Sequence, residues 1–233
     1  MSLPFQYAYL LGAIFSFLLW IAFYIYRKDL RKEMIIMGLL IAIAGIISQY
    51  LWWTIDWWKP QTITNTRIGI EDILLGFSNG GVAAVLYEVL FRKNEYKFLS
   101  KPHTKETLIS AFFLFLITAL FFNFLHFHSF IGTAISYLLV GTFFVLRRQD
   151  LFFESVITGI CLMIGSIPIY LLLNFLSPNF LSHLYYWGNL SGLALDDIPI
   201  EDLVYYFLAG FLVAPFYLYW KGLKLRRVTK RHN

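Results

Sequence analysis

Charged residues are scarce in this 233-residue chain, and their scarcity excludes an ordinary soluble domain. Only 14% of the residues are charged, whereas about 25% is usual for a soluble domain. Hydrophobic residues make up 59% of the chain, and they lie in runs near the roughly 20 residues that cross a bilayer as a helix. These runs are too long and too uniformly apolar for the alternating strands of a barrel. The composition therefore predicts an all-α integral protein that crosses the cell membrane several times.

Several motifs of cofactor and metal chemistry are also absent from the sequence. A single cysteine, Cys161, excludes an intrachain disulfide. There is no glycine-rich dinucleotide fingerprint and no P-loop, and the last apolar run, 200–220, holds no lysine for a retinal Schiff base. His126 and His128 are two positions apart, which does not bring both onto one ligand, and no further ligands follow at zinc spacing. The sequence thus predicts no cofactor and no metal.

The basic residues are best explained by membrane topology. The net charge is +5, but lysine and arginine lie in short connections and at the C-terminus, so no nucleic-acid partner is predicted. The positive-inside rule then places the N-terminus outside and the C-terminus, with a basic tail over 221–233, in the cytoplasm. We predict seven spans at about 5–26, 34–53, 71–91, 106–125, 130–146, 155–176 and 200–220.

Two stretches of the chain, 130 residues apart, are near copies of each other. They are Ile68-Gly69-Ile70-Glu71-Asp72 and Ile198-Pro199-Ile200-Glu201-Asp202. The same alignment matches Trp57 with Trp187, Phe77 with Phe207, and Gly80 with Gly210. At an offset of 121, a second run matches Arg27, Asp29, Leu30 and Glu33 with Arg148, Asp150, Leu151 and Glu154. The chain therefore consists of two related halves.

This duplication predicts one membrane domain over 1–233 with a 3+1+3 plan. Repeat one covers about 5–91, a linking helix about 106–125, and repeat two about 130–220. Because both repeats have three spans and the same orientation, they are parallel, and a site is expected between them.

The duplicated Glu-Asp pairs have two interpretations that the sequence leaves open. Acidic residues in the first helical turn complement the helix dipole, and Pro199 suits the first helical position. Alternatively, Glu71 and Glu201 face a shared apolar cavity, where a desolvated carboxyl group can hold and donate a proton. The aromatic residues of the outer loops are similarly either interfacial anchors or a surface that stabilises a cation.

At Pro199-Ile200-Glu201-Asp202, followed by Leu203-Val204-Tyr205-Tyr206-Phe207, the chain resembles the membrane-embedded lycopene cyclases of actinobacteria, archaea and fungi. That family carries a Pro-x-Glu-Glu/Asp motif before an aromatic-rich helix, once per three-helix unit. The resemblance covers nearly the whole chain in length, repeat plan and topology. One departure is Gly69, which stands in the first half where the family has proline.

The resemblance implies cyclisation of the linear ends of lycopene into β-ionone rings without net redox change. It implies that Glu201 is the acid, that Glu71 is its partner or a second acid, and that Asp72 and Asp202 orient these groups or act as bases. The residues expected to line the site of the cationic intermediate are Trp57, Trp187, Tyr205 and Tyr206. The implied partners are a lipid-soluble, lycopene-like isoprenoid and the surrounding membrane lipids.

Three other functions are compatible with the sequence. A small-solute transporter can share the 3+1+3 plan, but its usual Pro-Gln pair in each repeat is missing. A membrane prenyltransferase would need two aspartate-rich motifs that bind magnesium diphosphate. Asp197-x-x-x-Glu201 is a weak match to such a motif, and it occurs in one half only. A cyclase or hydratase acting on another isoprenoid is the third.

Overall fold

A computed structural model describes residues 2–91, 94–98 and 101–227. Seven long helices account for most of these residues. They are α1 (Phe5–Tyr26), α2 (Arg31–Ser48), α3 (Ile70–Phe91), α4 (Thr104–Ala119), α5 (Ser129–Arg147), α6 (Phe152–Leu176) and α7 (Ile200–Lys221). The last six residues of the predicted basic tail, 228–233, lie outside the described residues.

Three of these helices are longer than their regular α-helical part. After α2, a π-helical turn at Gln49–Trp53 leads into a short helix at Thr54–Asp56, and α4 continues as a π-helical turn at Leu120–Phe124. A 3-10 turn at Gln149–Leu151 precedes α6. With these extensions, all seven helices are long and apolar enough to cross a membrane. The prediction of seven long apolar helices is confirmed.

Short strands add a feature that the hydropathy pattern did not predict. The strand β1 (Asn94–Phe98) pairs antiparallel with β4 (Leu223–Arg227), the first part of the predicted tail. Two-residue strands β2 (Ala194–Leu195) and β3 (Ile198–Pro199) pair just before α7. Within these strands, residues 95–98 and 223–226 alternate between polar and apolar, which is the two-residue period of a strand.

Helices α3 and α7 lie at the centre of the helical assembly. Helix α3 packs against α1, α2 and α7, while α7 packs against α5, α6 and α3. Helix α4 packs mainly against α5. The two helices that begin with the Glu-Asp pairs are therefore neighbours, and their N-termini approach the same region of the protein.

Two glycines at matching positions of the repeats allow close contacts between helices. A Cβ atom on Gly38 of α2 would lie 2.7 Å from the carbonyl oxygen of Phe77 in α3. A Cβ atom on Gly159 of α6 would lie 2.6 Å from the carbonyl oxygen of Phe207 in α7. Since small residues let helix backbones approach closely inside a membrane, these glycines fix the α2–α3 and α6–α7 pairs.

We expect Gly159→Ala to destabilise the protein. The added methyl group would overlap the Phe207 carbonyl, and overpacking of this kind costs about 1–3 kcal/mol of unfolding free energy. The result would be a lower midpoint of thermal unfolding in detergent. Gly45→Ala is the matched control, because a Cβ atom there meets nothing within 4 Å. An equal midpoint for both variants would contradict the close contact.

The arginines of the second matched run form similar hydrogen-bonded turns. These turns lie at the opposite end of the helices from the Glu-Asp pairs. Arg27 donates two hydrogen bonds to Asp29, at 2.9 and 2.7 Å, and one to the Glu88 carbonyl at 2.6 Å. Arg148 donates two hydrogen bonds to Asp150, at 2.7 and 2.8 Å. The Arg27 guanidinium lowers the pKa of the Asp29 carboxyl below its usual value. These motifs therefore stabilise the turns before α2 and α6.

Candidate active site

A cavity of about 630 Å³ lies among the helices and reaches the N-terminal ends of α3 and α7. Its wall is mostly apolar, as is usual for a small-molecule site. The polar groups concentrate where α3 and α7 begin, and they include the carboxyl groups of Asp72 and Asp202. The structure thus brings one carboxyl group from each half of the chain to the same cavity.

Asp72 is buried and held by donors from two directions. The Tyr9 hydroxyl in α1 donates to Asp72 Oδ1 at 2.5 Å. The Gly69 N–H, just before α3, donates to Asp72 Oδ2 at 2.7 Å. The side chain of Gln49 lies close by. Both oxygens of Asp72 therefore already accept a hydrogen bond.

Asp202 is also buried, and phenol groups surround it. The Tyr170 hydroxyl in α6 donates to Asp202 Oδ2, and the Tyr185 hydroxyl donates to that of Tyr170 at 3.2 Å. Tyr185 lies in the loop before α7, where burial raises the pKa of its hydroxyl well above the ordinary value. The Tyr185 phenol therefore keeps its proton and remains a donor.

Tyr206 connects the surroundings of the two aspartates. Its side chain is close to those of Tyr170, Asn79 and Asp202. It also lies near Tyr9, the phenol that donates to the other aspartate. Both carboxyl groups therefore belong to one polar cluster rather than to two separate sites.

The glutamates of the two pairs have a different environment. Glu71 Oε1 accepts a hydrogen bond from the Ile63 N–H at 2.7 Å, and Glu201 Oε1 accepts one from the Ser191 N–H at 2.6 Å. Both donors lie in the loops that precede α3 and α7. Both glutamates are buried, but neither is among the described residues that line the cavity. Each glutamate thus binds its own loop.

Gly69, the departure from the family motif, has a clear structural role. A Cβ atom at this position would lie 2.3 Å from Glu71 Oε2 and 2.7 Å from the Thr62 side chain. Proline also lacks the N–H that Gly69 donates to Asp72. Pro199 occupies the matching position in the second half, so Asp202 cannot receive the equivalent bond. The two aspartates are therefore not equivalent.

Aromatic rings form the cavity wall beside Asp202. The Trp57 ring lies edge-on to Tyr205 at 5.2 Å between centroids, and Trp53 lies edge-on to Tyr205 at 5.6 Å. The Trp53 N–H donates to the Thr133 hydroxyl at 2.8 Å. Among the described residues, the buried indole N–H of Trp57 has no hydrogen-bond partner. Several aromatic rings thus line this part of the cavity, and aromatic rings can stabilise a cation.

Trp187 does not share the position of Trp57, with which the repeat alignment pairs it. Its ring lies 6.3 Å from that of Tyr185, in a 3-10 turn of the loop before α7. It is not among the described residues that line the cavity, whereas Trp57, Tyr205 and Tyr206 are. The structure therefore brings together three of the four aromatic residues that the sequence suggested.

The two long loops before α3 and α7 pair over this end of the cavity. Trp58 and Tyr185 form an isolated antiparallel bridge. The Lys59 N–H donates to the Leu184 carbonyl at 2.7 Å, and the Tyr186 N–H donates to the Trp57 carbonyl at 2.9 Å. Because Trp57 and Leu184 also line the cavity, the paired loops cover the carboxyl groups.

Sequence reasoning missed the phenol donors Tyr9 and Tyr170. They lie on α1 and α6, and neither repeat offset pairs them with each other, so the internal alignment carries no signal for them. Within residues 2–91, 94–98 and 101–227, no group of three histidine, cysteine, aspartate or glutamate side chains is placed to hold a metal ion. The described residues of the site provide carboxyl groups, phenols and aromatic rings.

Comparison with known proteins adds one match. A family model described as lycopene cyclase matches residues 6–90 and 103–220. No curated protein and no solved structure matches the chain significantly. The matched segments contain both Glu-Asp pairs and every residue placed around the two aspartates. Because they cover most of its length, the chain belongs to the lycopene cyclase family.

Proposed function

We propose that this protein converts the linear ψ-ends of lycopene into β-ionone rings by acid-initiated carbocation cyclisation. The reaction is an isomerisation of the intramolecular lyase type, without net redox change. One observation carries the proposal: two buried aspartates, from two central helices, share one apolar cavity with a wall of aromatic rings. Membership of the family supports carotenoid cyclisation as the activity.

The proposed reaction needs one proton donor and one proton acceptor. A carboxyl group adds a proton to the terminal double bond of the ψ-end, which leaves a tertiary carbocation. A nearby double bond of the same chain attacks this carbon and closes the ring, so that the positive charge moves into the ring. Loss of a ring proton to a carboxylate then forms the ring double bond. One proton enters and one leaves, so the substrate and product have the same composition.

We assign proton donation to Asp202 and proton removal to Asp72. The Gly69 N–H donates to Asp72, and a carboxylate accepts such a bond more strongly than a neutral carboxyl group does. Asp202 lacks this backbone donor because Pro199 has no N–H. Glu71 and Glu201, which the family motif suggests as acids, would hold the loops that cover the site. Two of the four carboxyl groups would then react, and the other two would position the loops.

The aromatic wall would stabilise the carbocation. Trp57 and Tyr205 line the cavity beside Asp202. A cation over an aromatic face gains about 2 kcal/mol or more when water is excluded. The paired loops and the apolar wall exclude water, which would otherwise add to the cation and give an alcohol.

We also propose that the domain is two parallel three-helix units joined by α4, with the N-terminus outside the cell membrane. The contacts of Gly38 with Phe77 and of Gly159 with Phe207 support this plan. These pairs are at positions that the sequence repeat makes equivalent. The outside face would then carry the paired loops.

The alternatives are less well supported by the site. A transporter for a small polar solute would need polar groups along its path, and most of this cavity wall is apolar. A prenyltransferase would need acidic groups converging on magnesium, and the described residues include no such group. Another linear isoprenoid would fit the same cavity, so substrate identity is tested directly.

The first test is expression in a bacterial host that accumulates lycopene, followed by extraction and chromatography of the carotenoids. We expect lycopene to decrease and γ-carotene or β-carotene to appear. A protein-free vector gives the background, and immunodetection verifies that the protein reaches the membrane. Unchanged lycopene with the protein in the membrane would contradict the proposed substrate.

A further inference from the structure

The cavity extends far beyond the carboxyl groups, along α3 and the helices packed beside it. On α3 its lining residues recur every three or four positions from Asp72 through Asn79 to Leu90. These residues share one face of the helix, because three to four residues make one turn. Asp72 and Leu90 are separated by about 27 Å at 1.5 Å per residue. The cavity thus follows almost the full length of α3.

Helix α1 supplies a second wall of this extension, and α6 contributes further lining residues from Cys161 to Leu173. The lining residues of α1 also recur at helical spacing, from Tyr9 near the carboxyl groups through Ser16 to Phe23. Leu19 and Leu90 are both partly exposed on the outer surface of the helices. The extension, which we call the α1–α3 channel, therefore reaches an opening through which an apolar chain can meet the lipid.

Among the described residues, this cavity has no matching extension between α5 and α7, the corresponding helices of the second half. There α7 contributes Asp202, Tyr205 and Tyr206 to the cavity, all from its first two turns, and α5 contributes Tyr137. The offset of 121 pairs Tyr137 with Ser16, so a ring stands where the first half has a hydroxymethyl group.

Bulky side chains fill the rest of the space in the second half. The offset of 130 pairs Val82, Leu86 and Leu90 of the channel with Leu212, Phe216 and Trp220. Phe216 packs edge-on against the fully buried Phe144 at 5.5 Å between ring centroids. This cavity thus offers a path for one long tail, along α1 and α3 and not along α5 and α7.

We propose that the substrate binds with one end group between Asp72 and Asp202 and its polyene tail along the α1–α3 channel, so that each binding event cyclises one end. This inference rests on the proposed cyclase activity. The monocyclic product must leave and return in the opposite direction before its other end can react. The residues that line the channel therefore determine which tail lengths are accepted.

The test compares two substrates that share the reacting end group. One is lycopene, and the other is an apo-lycopenal with one intact ψ-end and a shortened tail. Ser16→Phe and Leu90→Trp place bulk in the α1–α3 channel, away from the carboxyl groups. Both should lower kcat/KM for lycopene by about tenfold or more, as expected when an apolar group no longer fits its pocket. Both should change kcat/KM for the short substrate by less than about twofold.

Leu18→Trp is the matched control, since Leu18 lies on α1 but is 54% exposed and outside the cavity lining. It should leave both substrates unaffected. Leu90 is itself half-exposed, so its variant is expected to fold even if Ser16→Phe does not, and detergent elution profiles verify folding. In wild-type time courses, the monocyclic product should accumulate before any bicyclic product.

Three results would overturn the inference. Equal losses for the two substrates, or full activity of both channel variants on lycopene, would exclude tail binding along α1 and α3 while leaving the cyclase proposal standing. A bicyclic product formed without a preceding monocyclic one would exclude one-end reaction. Failure of the wild-type protein to cyclise either substrate would instead overturn the proposed function, and this inference with it.

Discussion

Asp202→Asn is expected to lower the rate of ring formation by at least about 100-fold, within the range for loss of a general acid. The amide has nearly the same shape as the carboxyl group, and its oxygen can still accept the hydrogen bond from Tyr170. The amide cannot deliver a proton to an alkene. The measurement is the initial rate of lycopene consumption by membranes that contain equal amounts of each variant.

The glutamate of the same pair provides the matched control. In Glu201→Gln, the amide oxygen can still accept the hydrogen bond from the Ser191 N–H. The substitution weakens one hydrogen bond by about 1 kcal/mol, so the rate should fall less than about tenfold. The reverse ranking, with Glu201→Gln inactive and Asp202→Asn active, would return the acid role to the glutamate. Asp72→Asn should resemble Asp202→Asn, because the ring proton would lose its acceptor.

Trp57→Leu is expected to have the next largest effect, a reduction of about 30-fold in the rate of cyclisation. This corresponds to about 2 kcal/mol of lost cation stabilisation in a dry site. Leucine keeps the position apolar, so the change removes the π-face while still excluding water. The measurement is again the initial rate, together with chromatography for hydroxylated products, which would indicate that water now reaches the cation.

The Trp187→Leu variant tests whether the repeat alignment or the tertiary structure identifies the rings that face the substrate. The alignment pairs Trp187 with Trp57, whereas the cavity is lined by Trp57 and not by Trp187 among the described residues. We therefore expect Trp187→Leu to reduce the rate by less than about twofold, because it removes no contact with the cation. Equal reductions in the two tryptophan variants would argue that both rings face the substrate.

Much of the site was predictable because its carboxyl groups belong to a short local sequence pattern. The Glu-Asp pairs stand out as carboxyl groups at the start of apolar segments, and their repetition indicated two related helices. The order of side chains within a pair, however, does not reveal which one faces the cavity. Adjacent residues in the first turn of a helix point about 100° apart, so only the packing of α3 and α7 turned Asp72 and Asp202 inward and left Glu71 and Glu201 with their loops.

The departure at Gly69 shows the same limit. Compared with the family motif, Gly69 is the loss of the proline that usually precedes the acidic pair. In the folded chain its N–H donates to Asp72, and its lack of a side chain leaves room for Glu71 and Thr62. The contact with Thr62 comes from the loop before α3, so its presence depends on how that loop folds.

The sequence by itself determined the class of protein, the seven long helices and the pairs of carboxyl groups. Hydropathy reports the transfer of whole segments from water to lipid, which depends on composition and length. Only the tertiary structure decided that Tyr9 and Tyr170 meet different aspartates, that Trp57 but not Trp187 lines the cavity, and that the cavity follows α1 and α3 and not α5 and α7. These features depend on side-chain volume and direction between helices that are distant in sequence, and no local pattern encodes such contacts.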